Sequence, residues 1–113
     1  MNTTAIGRRA EGVVAEFLEE QGYKIIGRNW RTRYCEIDLI ACLKGVVYFV
    51  EVKYRANDRQ GTGLDYITIP KLQRMYFAAE LWVSRHLWPK GYEIAVAAVT
   101  GRDFKIEAFV TDL

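Results

Sequence analysis

The 113-residue sequence is half hydrophobic, 13% aromatic and 27% charged, enough for one domain with a real core, and it excludes disordered and collagen-like chains. No apolar run approaches the about 20 residues a spanning helix needs, and residues 1–10 carry no apolar signal stretch, so a soluble, cytoplasmic protein without a membrane partner is expected. The net charge of +2 is unevenly spread, −2 over residues 1–21, +4 over residues 22–60 and neutral beyond, so a polyanionic partner would meet the middle third.

The first predicted element is a helix from about Ala5 to Gln21, capped by Thr3 or Thr4 and stopped by Gly22. Ala10, Val13, Val14, Phe17 and Leu18 form its apolar stripe, and Glu11 borders that stripe. A short strand, Tyr23–Ile26, precedes a basic segment, Gly27 to Tyr34, in which Arg28, Arg31 and Arg33 alternate with Asn29, Trp30 and Tyr34. Such a segment can contact phosphates and stack on bases, or be no more than a solvated Arg-rich edge.

Two stronger strands follow, Glu36–Cys42 and Val46–Tyr54, with Lys44-Gly45 as the turn; the second is apolar on both faces through Val46–Val52, as a central strand would be. Cys35 and Cys42 follow no metal-ligand spacing, and one histidine, His86, leaves no room for a zinc centre or a paired-histidine nuclease. If both cysteines lie on one strand, their odd separation puts them on opposite faces, and no disulfide is expected. Residues 56–68 read as a loop made pliable by Gly61 and Gly63. Pro70 opens a second helix running to about Leu87, with Leu72, Met75, Tyr76, Ala79, Trp82 and Val83 as its core stripe. Two strands, Tyr92–Val99 and Phe104–Val110, complete an α/β domain over residues 1–113 with a mixed sheet in the order α-β-β-β-α-β-β.

The chemistry lies in Glu36-Ile37-Asp38 on one strand and Glu51-Val52-Lys53 on the next. Side chains two apart on a strand share a face, so Glu51 and Lys53 point together. With Lys44-Gly45 at the centre of an antiparallel turn, Asp38 faces Glu51 and Glu36 faces Lys53. Facing like charges are destabilising, and on strands this apolar they need a reason. A hard divalent cation supplies one, with Glu11 as a third carboxylate and Lys53 as the positive charge beside a water or phosphate. Ion pairs on a solvated face remain the competing reading, because Glu-x-Lys alone is a weak signal.

The order Asp38, then Glu51-Val52-Lys53, resembles the PD-(D/E)xK signature of the restriction-endonuclease-like fold. More closely, the chain resembles the YraN-like family of small bacterial predicted endonucleases, similar to archaeal Holliday junction resolvases. The matching words are Gly7 with Glu11 and Ala15, Gly22-Tyr23, Arg28-Asn29-Trp30-Arg31, Glu36-Ile37-Asp38-Leu39-Ile40, Phe49-Val50-Glu51-Val52-Lys53 with Arg55, and Lys71 with Arg74. The resemblance implies that Asp38, Glu51 and Glu11 hold Mg²⁺ or Mn²⁺ and that Lys53 is the catalytic lysine. Arg28, Asn29, Arg31, Arg33, Arg55, Lys71 and Arg74 would contact nucleic acid. The chain departs from the family pattern at Cys35, where glycine is usual, at Gly61 and Gly63 in place of Phe-Gly, and at Gly91-Tyr92-Glu93 in place of Arg-Phe-Asp.

The expected function is metal-dependent hydrolysis of phosphodiester bonds in nucleic acid, with DNA, branched DNA included, as the substrate. Symmetric cutting of two strands would favour a homodimer joined through a strand edge or the Trp-rich region 82–88. Two alternatives stand beside it, a non-catalytic nucleic-acid-binding module on the same fold and a scaffold protein with surface ion pairs only.

Overall fold

Ala10, Val14, Ala15 and Leu18 recur at helical spacing and are buried, which sets the first helix, α1 (Thr3–Glu20), flat against a sheet. The protein is described here by a computed structural model covering residues 3–57 and 67–113. Among these residues the later elements are β1 (Lys24–Arg31), β2 (Glu36–Leu43), β3 (Val46–Arg55), α2 (Ile69–His86), β4 (Tyr92–Thr100) and β5 (Lys105–Val110). The five strands pair in chain order; β1–β2, β2–β3 and β4–β5 are antiparallel, and β3–β4 is parallel. A parallel pair needs a crossover, and α2 supplies it. The class is α/β in the expected order, consistent with a restriction-endonuclease-like fold.

Each sheet face has its own apolar layer. On one, the α1 stripe meets Leu39, Ala41, Val50, Ala95, Ala97, Val99 and Phe104. On the other, Met75, Ala78, Ala79 and Trp82 of α2 meet Ile37, Ile40, Val47, Phe49 and Ile94. The strands β3 and β4 are covered on both sides, which is why Val46–Val50 and Ile94–Val99 are nearly continuous apolar runs.

The turns follow local chemistry. Gly22 ends α1 at φ +98°, with the Tyr23 N–H reaching back to the Leu18 carbonyl. Lys44 and Gly45 both take positive φ, as a two-residue hairpin turn demands, so this expected turn is observed. Thr68 caps α2 by accepting from the Lys71 N–H, and Pro70 lies in the first turn. Thr3 and Thr4, expected as caps, are inside the first turn of α1. Most of the expected loop, Gly61 and Gly63 included, lies outside the described residues.

Two expectations change. The strand read as Tyr23–Ile26 continues through the basic segment to Arg31, because an edge strand can keep Lys24, Arg28 and Arg31 in solvent while pairing on one side only. Pairing slips between Ile25 and Gly27, a bulge at Ile26, and the in–out alternation breaks at Arg28 and Asn29, both exposed. Cys35 and Cys42 pack on the same, α2-facing layer, since Cys35 precedes β2 and strand parity does not reach it; both are free thiols. In the region 82–88, Trp82 is buried at 7% exposure and the Trp88 indole donates to the Gly45 carbonyl, so these two rings tie α2 to the sheet, while Leu87 between them is exposed.

Phe49 anchors the α2 layer, fully buried and in edge contact with Trp82 and Tyr92. Phe49→Ala is therefore expected to cost about 3–5 kcal/mol, seen as a lower denaturation midpoint at unchanged denaturant slope.

Candidate active site

The β2–β3 ladder runs from the turn to Leu39–Val50 and stops there, so Asp38 and Glu51 are the first residues past the last pair, in the register expected. Beyond that point the Val52 N–H, aimed at β2, would lack a partner. The Asp38 carboxylate fills the gap, with Oδ2 accepting from the Val52 N–H at 2.8 Å. On the other side, Asn29 falls opposite Asp38, between the pairs Arg28–Leu39 and Trp30–Ile37. Asn29 has φ +49°, a conformation asparagine tolerates better than most residues. Backbone pairing is thus interrupted on both sides of Asp38.

Glu51 is the only buried charged residue among those described, at 7% exposure. The Lys71 Nζ lies 3.1 Å from its Oε2, an ion pair whose geometry is not that of a hydrogen bond, so this buried oxygen keeps no hydrogen-bond partner. Burial and the neighbouring Glu51 carboxyl push Asp38 up to about 8, against the lowering effect of the Val52 N–H, and Glu11 adds to the rise. The two carboxyls are within hydrogen-bonding reach of each other, a contact that favours a shared proton or a bound cation. Lys53, two residues on, is half-buried and projects from the same face of β3 as Glu51.

Glu11 is held apart from this pair. Its Oε1 accepts from Asn29 Nδ2 at 2.9 Å, and the same amide donates to Glu36 Oε1 at 3.2 Å. Arg31 Nη2 completes the chain on Glu36 Oε2 at 3.0 Å. Glu36, expected opposite Lys53, is therefore spent on β1. This tether lines a cleft of about 370 Å³ with Thr4, Gly7 and Arg8, whose walls do not include Asp38 or Glu51. Among the described residues, no three acidic, cysteine or histidine side chains gather closely enough to hold one metal ion.

The basic residues separate. Lys71 joins the acidic pair, and Arg74 follows it, exposed, one turn along α2. Arg28, Arg31 and Arg33 are exposed on or just after β1, and Arg55 is half-buried at the end of β3. Asn29 is a clip between α1 and β2. Sequence reasoning missed the Lys71–Glu51 contact, although a helix that follows a strand in a crossover starts at that strand's C-terminal end. It also missed Cys35, whose thiol is pushed up by burial and feels the charges of Lys71, Glu51, Arg74 and Asp38. No helix among the described residues is long and apolar enough to cross a membrane.

The model of the uncharacterised protein family UPF0102 matches residues 10–104. A UPF0102 protein of Leifsonia xyli subsp. xyli is 47% identical over 68% of this chain and 65% of its own. One from Chlorobium chlorochromatii is 39% identical over 74% of this chain and 64% of its own, so the aligned stretch spans under two thirds of either relative. One from Thermus thermophilus is 37% identical over 95% of this chain and 96% of its own.

Because Asp38 holds its proton to about 8 when folded and titrates near 3.8 otherwise, the folded state binds the extra proton between those values, and stability falls as pH rises through that window. Asp38→Asn keeps an acceptor for the Val52 N–H and removes the charge. Thermal unfolding in EDTA should show a flatter pH profile for this variant and a higher melting temperature than the native protein above pH ~8. A native profile that does not fall across the window would show that the pair is not coupled in this way.

Proposed function

We propose, from the premise that the chain belongs to the uncharacterised protein family UPF0102, that it is a metal-dependent phosphodiesterase acting on nucleic acid, with DNA as the preferred substrate. The observation that carries this reading is the buried carboxylate pair Asp38–Glu51, with one glutamate oxygen lacking a hydrogen bond. A buried polar atom left unsatisfied costs stability, and a site that keeps one is built to receive something. The donor set, two carboxylates, suits Mg²⁺ or Mn²⁺. Asp38 and Glu51 would hold the ion, and the chemistry it supplies there is neutralisation of charge on a phosphoryl oxygen and activation of water.

The remaining roles fall to the protein's own groups. The Val52 N–H fixes the Asp38 carboxylate against the strand end, so the pair is oriented before any ligand arrives. Lys53 would bring positive charge to the same face and stabilise the charge that builds on phosphorus. Lys71 neutralises Glu51 in the free protein and stands in the first turn of α2, where a phosphate would also feel the helix dipole. Glu11 supplies negative charge from the neighbouring cleft and is held there by Asn29.

Two observations favour the alternative, a binding module on the same fold: Glu11 is committed to Asn29, and no three-ligand cluster exists among the described residues. Strand cleavage separates the two. Purified protein incubated with junction, flap, duplex and single-stranded substrates is expected to cut with Mg²⁺ or Mn²⁺ and not with EDTA. Asp38→Ala should abolish cutting, and Lys53→Ala should slow it on the order of 10²–10³-fold, the usual cost of losing a preorganised charge-stabilising group. The divalent ion alone should raise the melting temperature of the native protein and not of Asp38→Ala. Binding without cutting at any metal would establish the module.

A further inference from the structure

A second surface lies beside the site just described. Residues 32–35 form a self-tied turn in which Thr32 Oγ1 accepts from the N–H groups of Tyr34 and Cys35 and donates to the Cys35 carbonyl. The turn presents Tyr34 to α2, where its ring meets Phe77 at 5.5 Å between centroids and 31° between planes. Phe77 is 58% exposed, an unusual state for a phenylalanine already committed to a ring contact. Next to these rings is a cleft of about 460 Å³ lined by Arg31, Thr32, Arg33, Tyr34, Leu81 and Arg85, in whose walls Arg31 is paired with Glu36 and Arg33 and Arg85 have no acid beside them in the lining. Leu81 is one turn beyond Phe77 on the same helix face, so the rings stand at the rim of the cleft.

The charge identifies the occupant. A second copy of this chain meeting the surface across a two-fold axis would bring arginines against arginines. A polyanion is complementary, and an exposed aromatic beside arginines is the arrangement that takes an unpaired base with its phosphates. A base within a duplex is stacked on its neighbours and offers no free face, so the ring platform selects single-stranded or splayed nucleotides. Arg31 belongs both to this cleft and to the cleft that holds Glu11 and Asn29, so the two surfaces adjoin.

We infer that Phe77 and Tyr34, with Arg31, Arg33 and Arg85, form a subsite for an unpaired nucleotide next to the acidic site, so that the substrate is nucleic acid with a single-stranded segment. The inference rests on the nuclease reading for its purpose and deepens it by naming the substrate class, but the subsite itself can be tested without cleavage.

The test is binding of the full chain, in EDTA, to a short single strand carrying one stacking-sensitive fluorescent adenine analogue, and to the same strand in a blunt duplex. The expected result is tighter binding of the single strand with quenching of the analogue. Phe77→Ala should weaken that binding on the order of tenfold and abolish the quenching at unchanged melting temperature, whereas Phe77→Trp retains both. The double variant Arg33→Ala/Arg85→Ala should bind with a shallower salt dependence. Equal binding of strand and duplex, or native-like binding and quenching by Phe77→Ala, would overturn the subsite. So would a native dimer that Phe77→Ala dissociates, since the platform would then be an interface between copies. The two readings fail separately: metal-dependent cutting of a duplex without strand binding removes the subsite alone, and Phe77-dependent quenching without cutting at any metal removes the nuclease alone.

Discussion

Two carboxylates cannot sit side by side in a sheet interior unless something compensates them, and the local structure around Asp38 and Glu51 answers that constraint. The compensation at Asp38 is a backbone N–H made available by the end of the β2–β3 ladder. At Glu51 it is the ammonium of Lys71, carried in on the first turn of α2. Both are incomplete, since Asp38 is still driven toward its protonated form and one Glu51 oxygen still lacks a hydrogen bond. A structure selected for stability alone would replace such a pair with apolar side chains of similar volume. Its retention at the centre of the fold is the physical basis of the functional reading.

The scaffold around the pair is correspondingly conventional. One helix covers each sheet face, β4 is apolar throughout its buried length, β3 is so up to Glu51, and the edge strand β1 keeps charges outward. Of the departures from regular geometry, the positive φ of Asn29 and the tether from Glu11 through Asn29 to Glu36 lie beside Asp38, and the bulge at Ile26 is on the same strand as Asn29.

Much of this was legible in the chain. The helical stripes, the apolar run of β3 and the Lys44-Gly45 turn announce the order of elements, and the turn sets the register that brings Asp38 past Leu39 to the level of Glu51. What was hidden depends on tertiary geometry. Lys71 is 20 residues beyond Glu51 in the numbering, and only the direction of the crossover helix brings them together. Asn29 reads as one more polar residue in a basic segment, and its role as a clip follows from a backbone conformation that composition does not reveal. Strand parity assigns Cys35 a face only if it lies on the strand of Cys42, and it lies instead in a turn governed by Thr32.

The parallel pairing of β3 with β4 has a consequence for the order of assembly. The strands β1, β2 and β3 form a meander of sequence neighbours that closes short loops, whereas contacts such as that of Trp88 with Gly45 span 43 residues and form against a larger entropic cost. The meander already contains Asp38 and Glu51, but Lys71 arrives only with α2. Burial and the lysine both depend on packing beyond this meander, so the raised proton affinity of Asp38 belongs to the packed fold and not to the strands alone.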